Sequence, residues 1–317
     1  MSPFISICIP SYKRTSYLGR LLESIAIQQY KNFEVVISDD TPGEEVKQLC
    51  EKFREMLQLK YSHNLQSLGT PENWNQAIRN ASGEWIKIMH DDDWFVDGES
   101  LFVFADAIIA NPTADFFFSA YRNVFEQENN RMEDVHLKPS EERCLESDLL
   151  ILFRKNYIGN PSCTLFRKND SLLFDSRFKW VVDFEFYMRY IGKSGKPFAY
   201  INKPLVNTSL NSSQVTSSIF RNAAVEIPEN HLLLETKGIS ILKNVLVYDY
   251  FWRSYRNLRV TNKEQVQKFG YEKALHPVLE SMLNWQRKIP VRLLSIGAFS
   301  KPVMYLHYLL HKGQLDN

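Results

Sequence analysis

The sequence predicts an α/β protein, a single Rossmann-like, mainly parallel sheet flanked by helices, with a helical C-terminal appendage. Three observations predict it. Short β-rich runs alternate with helical stripes over the first 120 residues. An apolar run, Trp85 to Met89, ends abruptly in Asp91-Asp92-Asp93. Beyond residue 220 the composition shifts toward Leu, Tyr, Trp and Arg. Residues 1–220 are therefore expected to form one domain and 221–317 a second, helical one.

The elements follow in order. Phe4 to Pro10, Phe33 to Ser38, Leu59 to Ser62 and Trp85 to Met89 are strands. Between them Leu18, Leu21, Leu22 and Ile25 recur at helical spacing, as do Val46, Leu49, Cys50, Phe53 and Leu57, and these stripes are core. A helix is expected over Pro71–Asn80 and another from Gly98 to Ala110, stopped before Asn111-Pro112. A fifth strand covers Asp115–Ala120. The polar stretch Gln127–Glu142 reads as a mobile loop, Leu149–Phe153 as helical and Ser162–Phe166 as a strand. Trp180–Ile191 is an aromatic-rich helix, broken by Lys196-Pro197 before the strand Phe198–Ile201. A Ser/Thr-rich linker follows Asn211.

With 317 residues, 44% of them apolar, the chain can bury a large core. Its 38 basic and 37 acidic residues nearly cancel, so overall charge points to no nucleic acid partner. The distribution is uneven. From His231 onward there are 13 Lys or Arg against 6 Asp or Glu, and the preceding 230 residues carry a net −6. Cys8, Cys50, Cys144 and Cys163 form no CxxC pair and suit a reducing compartment. No stretch reaches the roughly 18 apolar residues that span a bilayer. The expected location is cytoplasmic, with peripheral contact on the inner face of the cytoplasmic membrane as a further option.

Three motifs end strands. Pro10-Ser11-Tyr12-Lys13-Arg14 follows the first, Ser38-Asp39-Asp40-Thr41 the second and the acidic triplet the fourth. Strand ends of a parallel sheet converge on one edge, where α/β folds bind ligands. Three adjacent carboxylates either form a solvated turn that caps the next helix or gather around a hard cation such as Mg²⁺ or Mn²⁺. A second acidic cluster and a basic turn on the same edge favour the cation, which could then hold a diphosphate.

These residues, with the run Asn64, Gly69, Asn73, Asn75, Ala77, Ala81, Gly83, Trp85-Ile86 and His90-Asp91-Asp92-Asp93, resemble the inverting glycosyltransferases of family two, which have the A-type nucleotide-sugar fold. The likeness covers about the first 215 residues. It implies that Pro10, Ser11, Tyr12 and Arg14 line the nucleotide pocket, together with Asn64, Asn75, Asp91 and Asp92. Asp39 or Asp40, with Asp39 favoured, would accept a hydrogen bond from the base, usually uracil. In the family's Asp-x-Asp motif a metal bridges both phosphates of the donor. Asp91 and Asp93 have that spacing, and an alternative register places His90 first and Asp92 last.

Displacing a nucleoside diphosphate builds negative charge on the leaving phosphate, which a fixed divalent cation stabilises. Inversion also needs a base to take the acceptor hydroxyl's proton. Trp180 to Arg189 resembles the segment that supplies this base at a helix start, and the resemblance assigns Asp183, with a helix N-cap as the alternative reading. Glu185 and Arg189, four apart, would pair in support. Trp180 would lie under a sugar ring or belong to the core. After Lys203-Pro204-Leu205 the family often carries an Arg and then a His. This chain has Ser209 and Asn211, with Gln214 and Thr216 fitting the weaker end of the pattern and Arg221 as a substitute cation.

The basic tail, with Arg253, Arg256 and Arg259 beside Tyr250, Phe251, Trp252 and Tyr255, and with Lys288, Arg292, Lys301 and Lys312 around Leu293, Ile296, Leu306 and Leu309, suits either an anionic membrane face or an ordinary helical cap. The resemblance adds that many such bacterial enzymes extend polyprenyl-diphosphate-linked glycans. The expectation is a metal-dependent transfer of a sugar from a nucleotide-sugar donor, a UDP-sugar by preference, to a hydroxyl of a lipid-linked or growing surface glycan. The rivals are a catalytically silent nucleotide-sugar-binding module and a sugar nucleotidyltransferase. The second is disfavoured because Pro10 to Arg14 holds no glycine.

Overall fold

The computed structural model describes residues 2–210 and 220–315, so Asn211, Gln214 and Thr216 lie outside the described residues. The chain divides into two compact units, one of Met1–Ser147, Tyr157–Ser176 and Val182–Ser213, the other of Asp148–Asn156, Arg177–Val181 and Gln214–Asn317.

The first unit is built on β1 (Ile5–Ser11), β2 (Phe33–Asp39), β3 (Leu59–His63), β4 (Trp85–Ile88), β5 (Trp94–Phe95), β6 (Phe116–Phe125), β7 (Arg131–Val135), β8 (Thr164–Arg167) and β9 (Phe198–Leu210). They form one curled sheet in the order β3-β2-β1-β4-β8-β6-β9-β5, with β7 paired to β6. Strands β1 to β4 are parallel neighbours and β6 runs parallel to β9, while β8, β5 and β7 pair antiparallel. Every residue of β1, β2 and β4 is buried, which is why they read as near-continuous apolar runs: helices cover both faces of this part of the sheet.

Helices α1 (Thr15–Ala26), α2 (Glu45–Phe53), α3 (Glu72–Asn80) and α4 (Ser100–Ala110) connect the strands. The stripe Leu18, Leu21, Leu22 and Ile25 packs with Val46, Cys50 and Phe53 into the core formed by Ile5, Ile7, Ile9, Val35 and Ile37. One close approach demands glycine. A Cβ on Gly83 would lie 2.6 Å from Ser6 Oγ, 2.7 Å from its backbone N and 2.9 Å from Phe4 O.

Two strands were not read from the sequence. The polar stretch expected as a mobile loop contains β7 and the start of α5 (Pro139–Ser147). Strand β5 follows the acidic triplet directly and pairs Trp94 with Asn207 and Phe95 with Val206. The expected helix near Trp180 is α6 (Val182–Ser194).

Register fixes the site. Ser11 at the end of β1 pairs with Asp39 at the end of β2, and Cys8 pairs with Ile88 at the end of β4. Three strand termini therefore open onto one edge.

The second unit is helical: Ala223–Lys237, Val245–Leu258, Lys263–Lys268, Pro277–Arg287, Val291–Leu294 and Gly297–His311. Its core includes Tyr248, Phe251, Trp252, Tyr255, Met282 and Leu283. The aromatics near Arg253 are thus core side chains. Arg253 pairs with Asp249 at 2.8 Å, and Arg256 donates to Ser300 Oγ at 3.3 Å. Of the two readings left open for this cluster, the helix Val245–Leu258 fits the ordinary helical cap: it buries its aromatic stripe and gives two of its arginines internal partners.

Candidate active site

At the end of β1 the chain turns through Lys13, in the left-handed region at φ 66°, and Lys13 N donates to Thr41 Oγ1 at 2.7 Å. The turn projects Arg14 across the edge. Its Nη2 donates to Asp91 Oδ1 at 2.6 Å and its Nη1 to Asp92 Oδ2 at 2.9 Å. Tyr12 N approaches Asp91 Oδ2 at 3.5 Å, and Tyr12 is 47% exposed, with Lys13 Nζ 4.8 Å from its ring centroid. Pro10 is buried, and Ser11 Oγ is a buried hydroxyl without a hydrogen-bond partner.

The two aspartates after β2 do different work. Asp39, fully enclosed, accepts from Thr41 N and Tyr61 Oη, each at 2.8 Å. Asp40 accepts from Asn64 Nδ2 (2.9 Å), Leu68 N (3.0 Å), Ser67 Oγ (3.2 Å) and Gly69 N (2.8 Å), the last at φ +68°. Four donors fill the acceptor sites of one carboxylate, so Asp40 is a loop anchor. Asn64 belongs to the same anchor, since its Nδ2 also lies 3.1 Å from Ser38 Oγ and Asn73 Oδ1. Asn75 grips the Phe174 backbone at both ends, donating to its O at 2.8 Å and accepting from its N at 2.9 Å. The amide groups of Asn64 and Asn75, placed with the nucleotide in the sequence reading, are thus engaged by protein.

The triplet splits. Asp91, 2% exposed, turns to Arg14. His90, Asp92 and Asp93 each offer a ligand atom, all within 4.8 Å of one another. The group that gathers joins His90 and Asp92 of one register with Asp93 of the other, and leaves out Asp91. Strand β4 ends at Ile88, and Arg14 forks between Asp91 and Asp92, so Asp92 belongs both to this ion pair and to the group with His90 and Asp93.

This group is held from behind. Asn160 Nδ2 donates to Asp93 Oδ2 at 2.9 Å, Ser209 N to Asp93 Oδ1 at 3.2 Å, and His90 N to Ser162 Oγ at 2.9 Å. The position where the family often carries a cation thus contributes through its backbone. Arg20 donates to Asp92 O at 3.1 Å, stacks 3.6 Å from the Trp94 ring and pairs with Glu126 at 2.8 Å. Lys87, wholly buried within β4, donates to the carbonyls of Ser162 and Ile88, and burial pushes its pKa down to about 7. Asn160, Ser162, Arg20 and Glu126 were not singled out in sequence; only Lys87, a lone charge inside an apolar run, carried a visible signal.

Burial dominates the electrostatics. It raises Asp91 to about 7 against the opposing pull of Arg14, raises Asp93 with help from Asp92, and lowers His90. His90 Nε2 is buried with no hydrogen-bond partner. A neutral imidazole with a vacant nitrogen and two neighbouring carboxylates is a donor set that fits a divalent cation, and imidazole in the set suits Mn²⁺ better than Mg²⁺.

Asp183 lies in the first turn of α6 and accepts from Phe184 N at 2.8 Å. One turn later Tyr187 Oη donates to Gly159 O at 3.1 Å. Gly159 precedes Asn160, so the base candidate's helix and Asp93 are fastened to the same loop. Glu185 and Arg189 form the expected pair, 2.8 and 3.0 Å, and Arg189 also donates to Leu173 O at 2.8 Å. Trp180 belongs to the second unit, where its N donates to Glu229 Oε2 at 2.7 Å and its ring lies 6.0 Å from Phe220. Arg221 is exposed there, its N donating to Glu226 Oε1 at 2.6 Å.

A curled α/β sheet whose β1, β2 and β4 termini share one edge defines the A-type glycosyltransferase architecture. The Staphylococcus aureus TarS 1-349 structure in complex with UDP-GlcNAc superposes with a TM-score of 0.55 at 19% identity, covering 98% of this chain and 92% of that one. The mannosyltransferase PcManGT from Pyrobaculum calidifontis in complex with GDP-Man and Mn²⁺ gives 0.56 at 15%, covering 100% and 89%. By sequence, the Escherichia coli (strain K12) protein named for colanic acid biosynthesis, glycosyl transferase WcaA, is 27% identical over 222 residues, 68% of this chain and 77% of its own length.

The sequence model described as "Glycosyl transferase family 2" matches residues 6–174, more than half of the chain. The chain belongs to that family and is a glycosyltransferase.

Proposed function

We propose that the protein transfers a sugar, with inversion, from a nucleoside diphosphate donor, a UDP-sugar by preference, to a hydroxyl of a growing or lipid-linked surface glycan. The observation that carries the reading is the gathering of His90, Asp92 and Asp93, with ligand atoms within 4.8 Å of one another, on the strand edge that also presents Arg14. His90, Asp92 and Asp93 would hold a divalent cation, Mn²⁺ by donor chemistry, which when bound offsets the charge that develops on the departing diphosphate.

The chain's own residues do the rest. Arg14 adds a second fixed positive charge on the same edge. Exposed Tyr12 offers a stacking face for the base, and Ser11 Oγ a free hydroxyl. Asp39 is the reading for the base contact because only two of its acceptor positions are filled, whereas Asp40 is saturated. Asp183 would take the acceptor's proton at its carboxylate, in the first turn of α6, where the helix dipole favours the ionised form. The acceptor class follows the E. coli relative named for colanic acid biosynthesis.

The test is a thermal-shift screen of nucleotides with and without Mn²⁺, followed by transfer assays of Asp183→Asn. UDP stabilisation that requires the metal, with transfer reduced about 10² to 10⁴-fold in the variant and donor binding retained, is the expected result. Unchanged transfer would remove Asp183 from its role. Nucleotide binding without turnover in the wild type would leave a silent binding module.

A further inference from the structure

We propose that the C-terminal segment 288–312 docks the protein onto an anionic phospholipid surface. Among the described residues, seventeen large hydrophobic side chains are exposed, and eight of them lie within twenty positions: Val291, Leu293, Ile296, Phe299, Tyr305, Leu306, Leu309 and Leu310. Such a concentration marks an interaction surface rather than scattered surface apolarity.

The helix Gly297–His311 explains the arrangement. Its inner face is packed: Ser300, Met304 and His307 are buried, Ser300 Oγ accepts from Trp252 Nε1 at 3.0 Å, and His307 Nδ1 lies 2.6 Å from Tyr248 Oη. Successive residues turn by about 100°, so Phe299, Leu306 and Leu310, at i, i+7 and i+11, share the opposite face with Leu309. That second apolar face is exposed.

Charge selects the occupant. From Ser281 to Leu315 the sequence contains Arg287, Lys288, Arg292, Lys301 and Lys312 and no acidic residue. All five are exposed. On the helix, Lys301 and Lys312 fall together along one margin of the apolar stripe. An apolar face bordered only by cations matches the boundary between acyl chains and anionic headgroups, and each basic residue near such a surface contributes about fivefold in partition. No helix among the described residues is long and apolar enough to cross a membrane, so the contact lies in the interfacial plane.

The experiment is co-sedimentation of the full chain with phosphatidylglycerol/phosphatidylethanolamine vesicles and with pure phosphatidylcholine vesicles. Binding to the first, weakened by salt, and little to the second is expected. Leu306→Glu with Leu310→Glu should cut partition at least tenfold, and Lys301→Glu with Lys312→Glu should cut it about as far while flattening the salt dependence. These positions are exposed, so melting temperature and the UDP–Mn²⁺ thermal shift should be unchanged, which separates this inference from the catalytic reading. Absence of wild-type binding, or variants that bind like wild type, overturns it. So does a wild-type dimer that the leucine variant converts to monomer without lipid binding in either form, which would make the face an interface between copies.

Discussion

Asp91 and Asp93 sit two positions apart, yet one faces a guanidinium and the other an imidazole and an amide. Arg14 holds two carboxylates that are 2% and 8% exposed, so its removal strands buried charge. Arg14→Met should cost about 3 kcal/mol in urea denaturation, with Arg14→Lys intermediate because an ammonium cannot fork between two acceptors. A variant as stable as wild type would contradict this. His90→Ala should abolish the Mn²⁺-dependent part of UDP stabilisation, worth about 2.7 kcal/mol when the ligand is at a hundred times its dissociation constant. Sequence spacing suggested both registers for the metal set and could not choose between them. The group that gathers takes members from each and leaves out Asp91, which Arg14 holds from 77 positions away.

At the level of elements, the loop Asn64–Gly69 hangs on Asp40. Asp40→Ala removes four acceptor contacts and should destabilise by about 1–3 kcal/mol, read as a lower melting temperature. The C-terminal helix has a titratable counterpart. Burial lowers His307 to about 4, with His311 adding to the effect, so the folded state refuses a proton that the unfolded chain accepts near 6.5. Its stability is fully present above pH 6.5 and lost as pH falls toward 4. Melts at pH 7.5 and 5.0 should show the drop, and His307→Gln should reduce it.

For the molecule as a whole, legibility tracked burial. Strands β1, β2 and β4, buried throughout, announced themselves as apolar runs; β7, with four of its five residues exposed, has no buried face and gave no pattern, and the two-residue β5 is too short to have one. The convergence of three motifs on one edge was legible because parallel topology gathers strand ends. Its supports were not, because Asn160 and Ser162 reach it from some seventy positions away. Chelation should erase UDP–Mn²⁺ stabilisation while leaving the ligand-free melting temperature in place, since Asp93 keeps Asn160 and Ser209 as partners without an ion. A large drop on adding EDTA to the ligand-free protein would show that folding itself requires metal.

The acidic turn is tethered at both ends: Met89 N bonds to Cys8 O at 3.0 Å, and five residues later Trp94 is zipped to β9. A span that short between two anchors has little slack to dilate around a larger ion. Calcium, which calls for six to eight oxygens at 2.3–2.6 Å, would find too few and too rigid a set, so it should compete poorly with manganese even in large excess.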